Sequence, residues 1–172
     1  MDIDFIPVRE KHLSLINSWM ALPHWREWWG DPEVELGYIK NMLEGHDPTK
    51  PFLFLLDQEP AGYIQYWRVK DAKAPPWNVM SPWVMDIDET TIGVDLSIGP
   101  ANQLSKGLGT AVLAAFVMLL RNEGFTKIII DPDVRNKRAI RAYEKAGFIP
   151  IRTAKEQDGS VLLMEWKGNP DP

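Results

Sequence analysis

No cysteine occurs among the 172 residues. Disulfide staples, iron–sulfur clusters, thiolate zinc sites and a thiol nucleophile are thereby excluded. Histidine is almost as scarce. His12, His24 and His46 are the only three, and no two stand at metal-ligand spacing, so no metal is expected. Basic residues are outnumbered, 19 Lys and Arg against 24 Asp and Glu, for a formal net charge of −5. General nucleic-acid binding needs the opposite balance, and no nucleic-acid partner is expected. Long apolar runs are missing too: the longest, Ala111–Leu120, falls far short of the roughly 20 residues that span a bilayer. Met1 is followed by the acidic Asp2 and Asp4, not by a basic stretch and an apolar run. A soluble cytoplasmic protein with no membrane partner is the expectation.

What is present is enough for a core. The residues are 45% apolar and 25% charged, which suits one globular domain over 1–172. Phe5–Val8 reads as a first strand and Lys11–Met20 as a helix that Pro23 breaks. Asp31, Pro32 and Glu33 give an N-cap, a first-turn proline and an early acid for a helix running to Leu43 and ended by Gly45. Strands are expected at Pro51–Leu56 and Ala61–Val69, around a hairpin turn at Asp57–Pro60. The chain then reads as loop through Pro75, Pro76 and Pro82. Beyond it come a strand at Thr91–Ile98, a helix at Lys106–Arg121 and a buried strand at Phe125–Ile130. A helix at Asn136–Ala146 follows, capped by Asn136 and stopped by Gly147. Strands Phe148–Thr153 and Val161–Trp166 flank the turn Gln157-Asp158-Gly159. This order is mixed α/β, antiparallel at first and then a parallel strand–helix–strand unit.

Three groups of residues carry chemistry. Gln103, Leu104, Ser105, Lys106, Gly107, Leu108, Gly109 and Thr110 lie between a strand and a helix. Two glycines there permit a tight turn, and unpaired amides at a helix start can face an anion. An ordinary glycine loop is the rival reading, since neither a Walker A ending nor a third glycine is present. Asp95 stands on the opposite strand face from Val94, Leu96 and Ile98. A carboxylate there needs a partner or water, so it is either a functional acid or half of a structural ion pair. Tryptophan is abundant, and Trp28, Trp29, Trp77 and Trp83 include two in loop-like sequence. Aromatic walls suit a sugar face or a cation, with core packing the alternative for each. Residues 74–105 hold four carboxylates and no Lys or Arg, whereas 135–145 hold five basic groups and one carboxylate. A cation-seeking stretch and an anion-seeking one follow, although a charge run is also an ordinary solvated helix face.

Two motifs together resemble the GCN5-related N-acetyltransferase (GNAT) superfamily. Gly107 and Gly109 match the G-x-[GA] end of a [QR]-x-x-G-x-[GA] loop, with Gln103 one residue ahead of the loop's first position, which Leu104 occupies. Asn136, Ala139, Tyr143, Gly147 and Phe148 match an N-x-x-A-x-x-x-Y-x-x-x-G-F helix. Over nearly the whole chain, Trp25–Gly30, Ala61–Gln65, Asp95, Gln103–Thr110, Asp131-Pro132, Arg138–Phe148 and Asp158-Gly159 look like aminoglycoside 6'-N-acetyltransferases.

The resemblance implies a seven-stranded twisted sheet splayed between its fourth and fifth strands, with acetyl-CoA in the opening. It implies that the Leu104–Gly109 amides hold the pyrophosphate, with Thr110 as a hydroxyl donor and Lys106 adding charge. Leu96, Ser97 and Ile98 would pair with pantetheine like an added strand, and Asn136 would reach the same arm. Asp95 would meet the reactive amine and Tyr143 would protonate the departing thiolate. Asp131 and Asp158 match acidic positions of those enzymes, with a strand-ending turn and a hairpin turn as their plain alternatives. The acceptor would be an aminoglycoside or another small polyamine, the protein a monomer or homodimer, and transfer direct from thioester to amine. Siderophore-pathway N-acyltransferases are the alternative, but they usually carry a His-x-Asp element, and here Asp86 and Asp88 flank Ile87 with no histidine near. A CoA-binding module without catalysis is the remote third reading.

Overall fold

The structure, a computed structural model, describes residues 1–168. The chain divides into two compact units, residues 1–65 with 96–108 and residues 66–95 with 109 onward.

The first unit begins with β1 (Ile3–Pro7), a 3-10 turn at Glu10–His12 and α1 (Leu13–Met20). Pro23 then opens a further helix, α2 (Pro23–Trp29), instead of ending order. A proline at the first helical position loses nothing, because its N–H would have no intrahelical partner. The helical spacing turns Trp25 fully inward and brings Trp29 to the same side, the two rings 5.4 Å apart. In α3 (Pro32–Leu43) the Asp31 carboxylate accepts the Glu33 N–H at 2.8 Å, the expected cap. β2 (Lys50–Leu56) pairs antiparallel with β1, Ile3 opposite Leu56. Asp57 and Gln58 both take positive φ, which makes the tight turn into β3 (Glu59–Arg68). Ile16, Trp19, Met20, Trp25, Ile39, Leu53 and Tyr63 form this unit's core.

In the second unit the proline-rich stretch is ordered. α4 (Val69–Ala72), α5 (Trp77–Met80) and a 3-10 turn at Pro82–Asp86 replace the expected loop. Pro76 and Pro82 sit at helix starts, where they are tolerated. β4 (Ile92–Ile98), α6 (Leu108–Asn122), β5 (Ile128–Ile130), α7 (Lys137–Lys145), β6 (Phe148–Lys155) and β7 (Ser160–Trp166) follow. β5 is shorter than the strand expected at 125–130, because Thr126 and Lys127 are exposed, Lys127 reaching Asp88 at 2.9 Å, and Phe125 packs its ring on Tyr66 at 5.8 Å.

The seven strands are ordered β1-β2-β3-β4-β5-β7-β6. β4 and β5 are parallel, β5 and β7 antiparallel, and β7 and β6 antiparallel. The β4–β5 ladder joins Ile92–Val94 to Ile128–Ile130 and stops, while β4 runs on to Ile98. Among the described residues no helix is long and apolar enough to cross a membrane.

Candidate active site

The register of the parallel ladder places the first two acids. Val94 pairs with Ile130. The next residue on each strand is an aspartate, Asp95 and Asp131. In-register positions of parallel strands share a face, so the two carboxylates emerge side by side where β5 ends. Asp131 Oδ1 is buried and has no hydrogen-bond partner among the described residues. Its carboxyl is held well above the ordinary range, first by burial, then by the negative charges of Asp95 and Glu156.

Glu156 reads in the sequence as one more acid before a hairpin turn. Its Oε2 accepts the indole N–H of Trp83 at 3.1 Å. Trp83 is buried and stands edge-on to Trp67 at 6.3 Å. The neighbouring Gln157 N–H donates to the Met80 carbonyl at 2.8 Å. Two consecutive hydrogen bonds therefore fix the β6–β7 turn to the 77–86 segment. A buried indole N–H must find an acceptor, and that need is the only sequence-level hint to Glu156.

Tyr143 on α7 is buried, and its phenol is pushed up by burial, then by Asp95 and Asp131. The phenol is thus held protonated beside two acids, and the same surroundings make it a weaker acid than a free tyrosine. Asn136 caps α7, its Oδ1 accepting the Ala139 N–H at 3.2 Å. Thr110 Oγ1 donates to the Ala142 carbonyl at 2.9 Å and ties α6 to α7. This corrects the expected hydroxyl donation by Thr110, whose single O–H is already engaged. Arg135 makes a two-point pair with Asp133, both bonds at 3.0 Å, which leaves the exposed Lys137, Arg138, Arg141 and Lys145 as the basic groups of α7.

The acidic stretch is not one cluster. Asp88 is bound by the Thr90 hydroxyl and by Lys127 at 2.9 Å, and its carboxyl is held below the usual range by those bonds. Asp158 is exposed in a hairpin turn closed by the Glu156 N–H on the Gly159 carbonyl at 3.0 Å, the plain alternative for that residue. Trp77 packs against the buried cluster of Val69, Ala72 and Trp83. Its ring is half-buried.

In the first unit, Leu96, Ser97 and Ile98 are half-buried at the end of β4. The following segment makes a 3-10 turn at Ala101–Gln103. The Gln103 and Leu104 amides donate to Pro100 and Ala101 at 3.1 and 3.2 Å. Of the expected Leu104–Gly109 donors, the Leu104 amide is thus engaged within the turn. Ser105 and Gly107 take φ of 60° and 77°, turning the chain into the start of α6 at Leu108. Amides in such alternating conformations, continuing into a helix's first turn, make an anion-binding concavity. Lys106 is exposed on this loop.

Trp29 is edge-on to Tyr63 at 5.9 Å as well as close to Trp25. Its ring is half-buried, with one side packed on these neighbours. Trp28 is half-buried one residue earlier.

A family model described as acetyltransferase (GNAT) domain matches residues 8–155. Aminoglycoside N(6')-acetyltransferase type 1 of Klebsiella pneumoniae is 36% identical over 163 residues, covering 90% of this chain and 78% of that protein. The solved structure of AAC(6')-Ib with paromomycin and acetyl-CoA superposes with a TM-score of 0.85 at 31% identity, covering 96% of this chain and 93% of that one. The complex of aminoglycoside acetyltransferase AAC(6')-Ib with coenzyme A and kanamycin gives 0.82 at 32% identity, covering 95% and 94%. The chain belongs to the GNAT acetyltransferase family, with aminoglycoside N(6')-acetyltransferases among its relatives.

Proposed function

We propose that this acetyltransferase moves the acetyl group of acetyl-CoA to the 6'-amine of an aminoglycoside, as one N-acetyltransferase domain acting in the cytoplasm. The observation that carries the reading is the pair of half-buried acids Asp95 and Asp131 beside Tyr143. An amine must lose its proton before it attacks a thioester, and Asp95 accepts that proton or holds the ammonium for water to take it. Asp131 has a buried oxygen without a partner, which a second ammonium of the polycationic acceptor satisfies. Tyr143, kept protonated, delivers its hydroxyl proton to the departing thiolate sulfur. The edge Leu96–Ile98 takes the pantetheine arm, Asn136 reaches the same arm, and the amides from Ser105 to Thr110 take the pyrophosphate. Trp28 contributes an aromatic contact to the acceptor. The nitrogen lone pair forms the new C–N bond as the C–S bond breaks, so no acyl-enzyme is required. The identity to the Klebsiella protein over nine-tenths of the chain supports the same acceptor class.

The test is thiol release from acetyl-CoA with kanamycin, tobramycin and amikacin, with mass spectrometry placing the acetyl group. Turnover with at least one is expected, and Asp95→Asn should lower kcat/KM by about 10²- to 10⁴-fold. Protein that binds CoA and acetylates none of the three would overturn the acceptor. Full activity of Asp95→Asn would overturn the role of that carboxylate.

A further inference from the structure

The end of β4 is held from both of its edges, and one of the two holds is a histidine from α2. On one edge the Gly99 N–H donates to the Ala61 carbonyl of β3 at 2.8 Å. The Ser97 carbonyl lies on the same edge, close enough to Gly62 that a Cβ there would strike it. Successive residues of an extended strand aim their N–H and C=O groups at opposite edges. The N–H and C=O groups of Leu96 and Ile98 therefore point away from β3. His24 Nε2 lies 2.8 Å from the Ile98 carbonyl oxygen. A carbonyl only accepts, so Nε2 carries the proton and donates it. The ring is half-buried, and α2 is anchored beside it by Trp25, which is fully buried. Gly99 adds a lock: any side chain there would strike the Trp19 ring.

We propose that His24 is a positioning residue for the acyl donor: it caps the last outward carbonyl of β4, so that the edge presents Leu96 N–H, Leu96 C=O and Ile98 N–H in fixed geometry. This rests on the reading that this edge takes the pantetheine arm. The cap has two effects. It removes one competing acceptor from the edge, which sets where the arm stops. It also holds the strand end extended without a bound ligand, so that docking does not have to order it. The expected consequence is therefore confined to donor affinity and amounts to a several-fold change.

Three variants test it, read by calorimetry with CoA and by steady-state kinetics. His24→Phe keeps a ring and loses the donor, His24→Ala loses both, and His24→Gln keeps an N–H donor. His24→Phe and His24→Ala should raise the CoA Kd and the acetyl-CoA KM about five- to tenfold. The kcat at saturating acetyl-CoA and the acceptor KM should stay within about twofold, and His24→Gln should recover most of the donor affinity. A role in packing alone predicts that His24→Phe behaves like the parent protein in CoA affinity, and that result overturns the proposal. Equal loss in donor KM and kcat overturns it as well. If the parent protein binds CoA but acetylates no aminoglycoside, the acceptor reading fails while the CoA titration still decides His24. If the parent protein binds no CoA, both readings fall.

Discussion

Replacing Asp131 by asparagine should stabilise the free protein at neutral pH and remove that gain in acid. Asp131 has a buried oxygen with no partner, and its carboxyl is raised by burial and by Asp95 and Glu156. A carboxyl whose folded-state pKa exceeds its unfolded value of about 3.9 binds more protons when folded, in the window between the two values. Stability is then highest below the unfolded pKa, falls as pH rises through the folded pKa, and levels off above it. Each unit by which the folded pKa is raised corresponds to about 1.4 kcal/mol. A buried polar group without a partner costs about 1–3 kcal/mol. An amide of the same shape carries no charge to bury and can donate toward the neighbouring carboxylates. A gain of about 2 kcal/mol near pH 8 translates into a Tm rise of roughly 4–8 °C for a chain of this size. Thermal unfolding of Asp131→Asn and the parent protein, followed from pH 4 to pH 8.5 without ligand, measures it. The two curves should converge near pH 4 and separate as the pH rises, while acceptor turnover falls in the variant. A variant that melts at or below the parent at pH 8, or a Tm difference independent of pH, would refute the account of Asp131 as a buried, charge-crowded acid.

Two further outcomes follow from neighbouring residues. Tyr143→Phe keeps the buried ring but loses the proton that the thiolate requires, so kcat should drop on the order of 10²-fold with the acetyl-CoA KM within twofold. An unchanged kcat removes Tyr143 from the chemistry. Gly93→Ala places a methyl group against the Trp67 indole. Overpacking of this kind costs about 1–3 kcal/mol, read as a lower denaturant midpoint, and a midpoint equal to the parent's would show that Trp67 can move aside.

Local features were the most legible. The Asp31 and Asn136 caps, the turn at Asp57–Gln58 and the hairpin at Asp158–Gly159 all appear where short-range chemistry places them. Each depends on a side chain and backbone groups within three residues, so the sequence window contains the whole cause. The misread stretches failed for a common reason. Pro23, Pro76 and Pro82 look like breaks, yet each stands at a helix start. A proline marks a boundary without saying on which side the helix lies. The stretch at 125–130 reads as one strand, but only Ile128–Ile130 form it, since Lys127 is drawn to Asp88 and Phe125 to Tyr66, partners far away in sequence. The tryptophans were ambiguous for the same reason. Which rings and aliphatic groups surround Trp29 and Trp77 is set by partners from other elements.

The sequence by itself determined the chemical repertoire and its carriers. It has no thiol, it has a glycine loop leading into a helix, and it places Asp95 and Tyr143 in motifs that point to acyl transfer to an amine. Tertiary structure alone decided which groups work on one another. Asp95, Asp131, Tyr143 and Glu156 come from β4, the end of β5, α7 and the end of β6, and their shared site exists because Val94 and Ile130 are in register and Trp83 holds Glu156. Charge interaction depends on distance and on exclusion of water. Neither quantity is written along the chain; both are set when the strands pair and the core closes around them.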